Sequence, residues 1–299
     1  MSARRVLVIG LGLIGGSLAA ALKKNGDFKE VLGTSRSAVT LKKALERGVV
    51  DVADSDIVVL LEKLQRNDVV VIATPTLSVR SILEMLRDAV ARGVIITDVA
   101  SVKGSVVADA EYVFGSVPSN FIPGHPIAGS EKSGIDAVNP ELFFRHEVIL
   151  TPLDHSDSLA LEVISQMWSS VGAEVSTMAV AEHDNVLALT SHLPHMLAYS
   201  LVDTLAQRSQ NNSIFRYAAG GFKDFTRIAG SDPTMWHDIA LANRKALLNG
   251  LDAFEAHLSE LRNAIEQGNG EHLQAVFSRA KQARDYFGEL YARRKPDSH

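Results

Sequence analysis

Apolar residues along this chain fall into two kinds of run, and the changeover lies near residue 178. Before it, short β-rich runs predict strands over 5–9, 30–34, 68–74, 94–97, 121–123, 147–150 and 174–178. Helical patterns over 14–25, 38–47, 77–92, 103–114 and 158–171 separate several of them. Strands alternating with helices of that length imply crossover units and a mostly parallel sheet. The strand runs are continuously apolar, as expected when helices cover both faces. Beyond residue 180 the strand signal stops. A single helix is predicted over 181–207, with Val186, Leu189, Leu193, Leu197 and Leu201 at spacings of three and four. Pro194 inside it cannot donate to the Thr190 carbonyl, so a kink is expected there. Asp232 followed by Pro233 reads as an N-cap with proline at the first helical position. The helix it opens is predicted to run through Trp236 to Leu261, before Gly268 and Gly270 stop it, and a last helix covers 271–293.

Those patterns divide the chain into an α/β domain over 1–178 and an all-helical domain over 179–299. Helices this long and apolar commonly pair with a copy of themselves, so a homodimer through the C-terminal helices is expected, with a monomeric bundle as the alternative. At 299 residues with 46% hydrophobic and 22% charged positions, the composition is that of a folded globular protein. The formal charge of −5 and the lack of a basic block argue against nucleic acid as a partner. Cysteine is absent, which excludes a disulfide framework, a thiolate nucleophile and cysteine metal ligands, and suits a reducing, cytoplasmic location. Arg4 and Arg5 precede an uncharged run over 6–22 that imitates a secretory signal, but Gly10, Gly12, Gly15 and Gly16 interrupt it. A buried strand, a turn and a helix fit better. No other stretch reaches the ~18 apolar residues of a membrane span, and no membrane association is expected.

Gly10-Leu11-Gly12-Leu13-Ile14-Gly15 follows a predicted strand and opens a helix, the context that makes a G-x-G-x-x-G pattern a dinucleotide site. The first glycine permits a tight turn, the second lets backbone approach a pyrophosphate, and the third allows helix to pack on strand. The fold class is therefore a Rossmann-type nucleotide-binding domain followed by an all-α dimerisation domain. The second strand ends in Gly33-Thr34-Ser35-Arg36-Ser37, without the carboxylate that would hold an NAD ribose. Ser35 offers a hydrogen bond and Arg36 a charge to a 2′-phosphate, so NADP is favoured over NAD, with Arg36 as an ordinary surface arginine the alternative.

Thr74 and Ser101 sit at the carboxyl ends of predicted strands, the rim where such sheets hold ligands. His125, between prolines and glycines in Pro123-Gly124-His125-Pro126-Ile127-Ala128-Gly129, is expected in a rigid loop and suits a general base. His192 and His195 flank the proline kink. Two histidines without a third ligand make a poor metal site, so no metal is expected and one of the pair is read as a substrate contact. Arg227, in a glycine-led loop between helices, either clamps a substrate carboxylate or pairs with Asp224 or Asp232. Three readings follow: a dehydrogenase with His125 as base and Arg227 as clamp, another Rossmann-plus-helical reductase of the β-hydroxyacid dehydrogenase or imine reductase type with a lysine on the first long helix, or a silent NADP-sensing dimer. No lysine occurs over 181–207, which counts against the second.

The glycine turn, Asp98-x-x-Ser101-x-Lys103, Gly124-His125-Pro126-Ile127-Ala128-Gly129-x-Glu131-x-Ser133-Gly134, Ser191-His192-Leu193-Pro194-His195 and Gly221-Phe222-Lys223-Asp224-Phe225-Thr226-Arg227 together resemble the prephenate/arogenate dehydrogenase family of tyrosine biosynthesis. The resemblance runs in order across nearly the whole chain. It implies that His125 accepts the proton of a substrate ring hydroxyl, assisted by Ser101, and that Arg227 binds a substrate carboxylate. Glu131 and His195 would line the pocket, and the chain would dimerise through its helical part. The implied reaction is oxidative decarboxylation of prephenate or arogenate. The Ser35-Arg36 pair departs from NAD-using members.

Overall fold

The computed structural model describes residues 4–129, 132–208 and 215–294. Contacts divide the chain into two compact units, Met1–Arg244 and Lys245–His299.

In the first unit, β1 (Arg5–Ile9), β2 (Glu30–Thr34), β3 (Val52–Asp54), β4 (Val69–Ile72), β5 (Ile95–Asp98) and β6 (Phe121–Ile122) form one sheet in the order β3-β2-β1-β4-β5-β6. Every pairing in it is parallel. The order reverses direction between β1 and β4, which opens a crevice outside their carboxyl ends. The strands alternate with α1 (Leu13–Asn25), α2 (Ala38–Glu46), α3 (Ile57–Leu61), α4 (Val79–Met85), α5 (Arg87–Ala91) and α6 (Lys103–Phe114). Val6, Val8, Val69 and Val71 enter one buried cluster and Leu7, Ile9, Val70 and Ile72 the other. Both faces of β1 and β4 are thus covered, which is why these strands lack polar alternation.

The strand predicted over 121–123 is two strands. Beyond Pro123 the chain leaves the first sheet and enters a second, made of β7 (Gly124–Pro126), β8 (Glu147–Leu150) and β9 (Glu174–Thr177). β7 pairs antiparallel with β8, and β9 parallel with it. Between β8 and β9 lies α7 (Ser158–Ser170), capped by the Asp157 carboxylate, which accepts from the Leu159 and Ala160 N–H groups.

The single helix predicted over 181–207 is three pieces: α8 (Val180–Leu187), a π turn at Ala188–His192, and α9 (Leu193–Ala206). Pro194 has no N–H for the Thr190 carbonyl, and the Leu193 N–H donates to Ala188, five residues back. The predicted glycine-led loop is helical, as α10 (Gly220–Thr226) and a 3-10 turn over Arg227–Gly230. Asp232 caps α11 (Pro233–Ala242) by accepting from the Thr234 and Met235 N–H groups. The helix expected to continue to Leu261 breaks at Asn243 (φ −102°, ψ 31°).

The second unit holds most of α12 (Arg244–Glu266) and all of α13 (Gly270–Arg294), separated by a turn with Gly268 at φ +63°. Leu258, Ile265, Phe277 and Phe287 on these helices are each more than half exposed. Among the described residues no helix is long and apolar enough to cross a membrane.

Candidate active site

The glycine turn between β1 and α1 is fixed by sterics. Gly10 has φ +102°, and a Cβ there would lie 2.4 Å from the Ala73 carbonyl oxygen. A Cβ at Gly15 would meet the Gly10 carbonyl at 2.1 Å and the Ala73 Cβ at 2.7 Å, so helix and strand pack closer than any side chain permits. Gly12 differs: nothing lies within 4 Å of its missing Cβ. Open space at that position, before the first turn of α1 at Leu13 and Ile14, leaves room for a diphosphate, and no side chain caps the helix. Thr74, beyond β4, carries a buried hydroxyl without a hydrogen-bond partner. At the end of β2, Ser35 is half-buried and Arg36 exposed, and the preceding Thr34 is paired with Asp54 on β3. These residues fit a dinucleotide.

His125 lies on β7 opposite Ile149, in a strand rather than the expected loop, because β8 supplies a partner 24 positions along the chain (149 against 125). The ion pair of Asp98 with Lys103 holds this strand from below. Both side chains are fully buried. Asp98 Oδ1 accepts the Gly124 N–H at 3.2 Å, and Lys103 Nζ donates to the Gly124 carbonyl at 2.6 Å, so one residue is gripped at both backbone groups. Asp98 Oδ2 also accepts the Ala100 N–H, which shapes the segment carrying half-buried Ser101. The His125 imidazole is 8% exposed, and its Nδ1 lies 2.9 Å from His183 Nε2 on α8. Burial, reinforced by His183, Lys103 and His192, pushes the His125 pKa well below the ordinary histidine value. At neutral pH the ring is uncharged and able to accept a proton.

The sequence singled out neither His183 nor Asp184. Asp184 Oδ1 accepts from His183 Nδ1 and from the Lys103 N–H, each at 2.8 Å, and Oδ2 accepts the Gly104 N–H at 2.8 Å. Burial raises the Asp184 pKa, but these hydrogen bonds outweigh it and hold the carboxyl below its usual range. A histidine and an aspartate adjacent on a helix carry no recognisable signal, since their partners lie about 58 and 81 residues away.

Among the described residues, neither His192 nor His195 belongs to a group of three or more His, Asp or Glu side chains placed to hold a metal ion. The Asn243 Nδ2 donates to His192 Nδ1 at 3.1 Å and to the Asp184 carbonyl at 2.8 Å. His192 is 1% exposed, and burial lowers its pKa to about 4. His195 donates from Nδ1 to the Ser191 carbonyl at 2.8 Å and stacks on Trp236 with centroids 3.6 Å apart. Burial lowers its pKa, helped by the charge of Arg227 and opposed by the Ser191 hydrogen bond. Arg227 is exposed and, among the described residues, paired with neither Asp224 nor Asp232. The site is thus assembled from several elements: His125 of β7 meets His183 of α8, the His192 ring of the π turn lies edge-on to Trp236 of α11, and Trp236 carries His195 of α9. Glu131 lies outside the described residues.

Residues 18–177 match the family described as prephenate dehydrogenase, nucleotide-binding domain, and residues 179–279 match prephenate dehydrogenase, dimerization domain. The chain is 37% identical over 284 residues to the cyclohexadienyl dehydrogenase of Zymomonas mobilis, covering 94% of this chain and 95% of that one. Among solved structures it resembles prephenate dehydrogenase from Aquifex aeolicus in complex with hydroxyphenyl propionate and NAD+, with a TM-score of 0.87 and 35% identity, covering 96% and 99% of the two chains. It also resembles Synechocystis arogenate dehydrogenase, with a TM-score of 0.77 and 31% identity, covering 95% and 99%. With both halves of the chain matched in order, this protein belongs to the prephenate dehydrogenase family of oxidoreductases.

Proposed function

We propose that the protein oxidatively decarboxylates prephenate or its amino analogue arogenate, giving 4-hydroxyphenylpyruvate or tyrosine, with NADP favoured over NAD. The observation that carries this reading is His125: an imidazole kept neutral, fixed by a buried ion pair, at the carboxyl edge of a dinucleotide fold. When bound, the nicotinamide supplies the hydride acceptor. Gly10, Gly12, Leu13, Ile14 and Gly15 would hold the diphosphate, Thr74 and Ser101 would line the crevice, and Ser35 and Arg36 would take the ribose 2′ position.

His125 takes the proton of the ring hydroxyl as the carbon that bears it is oxidised. The carbonyl that forms there draws the electron pair released as the ring carboxylate leaves as carbon dioxide, the ring becomes aromatic, and its oxygen takes the proton back from His125 to give the phenol. Ser101 orients the hydroxyl, Arg227 grips a carboxylate, and His195 and Glu131 line the pocket. Positioning and charge placement supply the catalysis, and the aromatic product makes the step downhill. The name of the C-terminal family match and the exposed apolar residues of α12 and α13 support a homodimer through the C-terminal helices.

Initial rates with prephenate and arogenate, each with NADP and with NAD, followed by absorbance of the reduced cofactor, test the reading. His125→Asn is expected to lower kcat by on the order of 10²–10⁴ with cofactor affinity nearly unchanged. Turnover like that of the wild type in this variant removes His125 from the role.

A further inference from the structure

We propose that His183 and Asp184 are positioning residues: together they fix the tautomer of His125 so that its lone pair lies on Nε2, available to the substrate hydroxyl. This rests on the reading of His125 as the base.

The argument follows hydrogen-bond donors and acceptors along one chain of contacts. An ionised carboxylate only accepts. Asp184 is held ionised by two backbone N–H groups at the start of α6 and by His183, so the hydrogen between His183 and Asp184 sits on His183 Nδ1. A neutral imidazole with hydrogen on Nδ1 has its lone pair on Nε2. That atom faces His125 Nδ1 at 2.9 Å, so His125 is the donor across the contact and carries its hydrogen on Nδ1. Its Nε2 is left as the acceptor. The other tautomer of His125 would set two lone pairs against each other in a buried contact, at the cost of an unmade hydrogen bond.

Of the other groups whose charge bears on His125, both already have partners. Lys103 is engaged by Asp98 and the Gly124 carbonyl, and His192 Nδ1 is engaged by Asn243. Protonation of His125 at Nε2 keeps the same contact. The Nδ1–H still donates to His183, and the Asp184 carboxylate, one ring further away, faces the new positive charge. No proton has to move beyond His125, which holds the hydroxyl proton at Nε2 until the aromatised ring oxygen takes it back. The rings of His125 and His183 meet edge to face, with centroids 5.2 Å apart and planes at 67°, which points the two nitrogens at each other.

The first test needs no substrate. In protein labelled with ¹⁵N-histidine, with signals assigned by loss in His125→Asn and His183→Gln, both rings are expected as pure Nδ1–H tautomers at neutral pH. Finding hydrogen on Nε2 of His125 overturns the proposal. The second test is kinetic. Asp184→Asn keeps the shape of the side chain but sets an amide N–H against the Gly104 N–H or against His183. It is expected to lower kcat about tenfold to a hundredfold while KM moves less than threefold. That is smaller than the roughly 10⁴ lost when a carboxylate bonded directly to the base is replaced in a triad. His183→Gln is expected to match it and to turn His125 into a mixture of tautomers. A kcat within twofold of wild type in both variants overturns the proposal. If His125→Asn keeps its turnover while both rings are Nδ1–H, the functional reading falls and the tautomer assignment stands.

Discussion

On the dinucleotide side of the site the decisive atoms belong to the backbone. Gly10 and Gly15 are required because a Cβ would strike the Ala73 or Gly10 carbonyl, and Gly12 stands beside open space. On the substrate side they belong to side chains drawn from distant parts of the chain: Asp98 and Lys103 beneath β7, His183 and Asp184 on α8, Asn243 after α11. The first half is steric: Ala73 at the end of β4 and the Gly10 backbone leave no room for a side chain. The second half is a network that ties short-range pairs, Asp98 with Lys103 and His183 with Asp184, to groups far along the chain, so damage to one member spreads.

The network side breaks hardest at the buried ion pair. Lys103→Met leaves the Asp98 carboxylate buried without its cation and frees the Gly124 carbonyl, and should cost about 3–5 kcal/mol of stability, read from chemical denaturation. A denaturation midpoint equal to that of the wild type sinks the idea that this pair anchors β7. Acid titration probes the same region next. His125 and His192 have folded pKa values below the unfolded value, so the unfolded chain binds more protons and stability falls as pH drops below about 6.5. With its pKa at about 4, His192 alone contributes on the order of 3 kcal/mol, lost between pH 6.5 and 4. Stability that holds level across that window contradicts the burial of these rings.

Smaller effects sharpen the contrast. Arg227→Ala removes a charged contact shared by ground and transition states, so KM for the substrate should rise about tenfold or more with kcat little changed. A fall in kcat alone would place Arg227 elsewhere in the mechanism. On the backbone side, Arg36→Ala should reduce the preference for NADP over NAD by about tenfold and leave stability within about 0.5 kcal/mol. An unaltered cofactor ratio shows that Arg36 is an ordinary surface residue.

The same contrast explains what was legible in the sequence. β1, the glycine turn and α1 could be read because a continuous apolar run, spaced glycines and a helical pattern follow each other within about twenty residues. The Asp232-Pro233 start of α11 is likewise written in two adjacent letters. β3 and α3 were not legible: they are three and five residues long, too short for a period to show. His125 looked like a loop residue because β8, which makes its segment a strand, lies beyond a long excursion. Lys103 stood in a recognisable motif, but its task depends on full burial beneath Gly124, which no spacing announces. The break at Asn243 follows the same logic, since its side chain answers to Asp184 and His192 rather than to its own helix.

The π turn at Ala188–His192 holds one residue more than an ordinary helical turn. Everything beyond it is therefore rotated by about 100° relative to an uninterrupted helix. That offset sets the phase of α9, with the His192 ring against Asn243 and the His195 ring flat on Trp236. Deleting a single amino acid there would leave the helix intact and swing its downstream face away from the tryptophan, a lesion of phase rather than of composition.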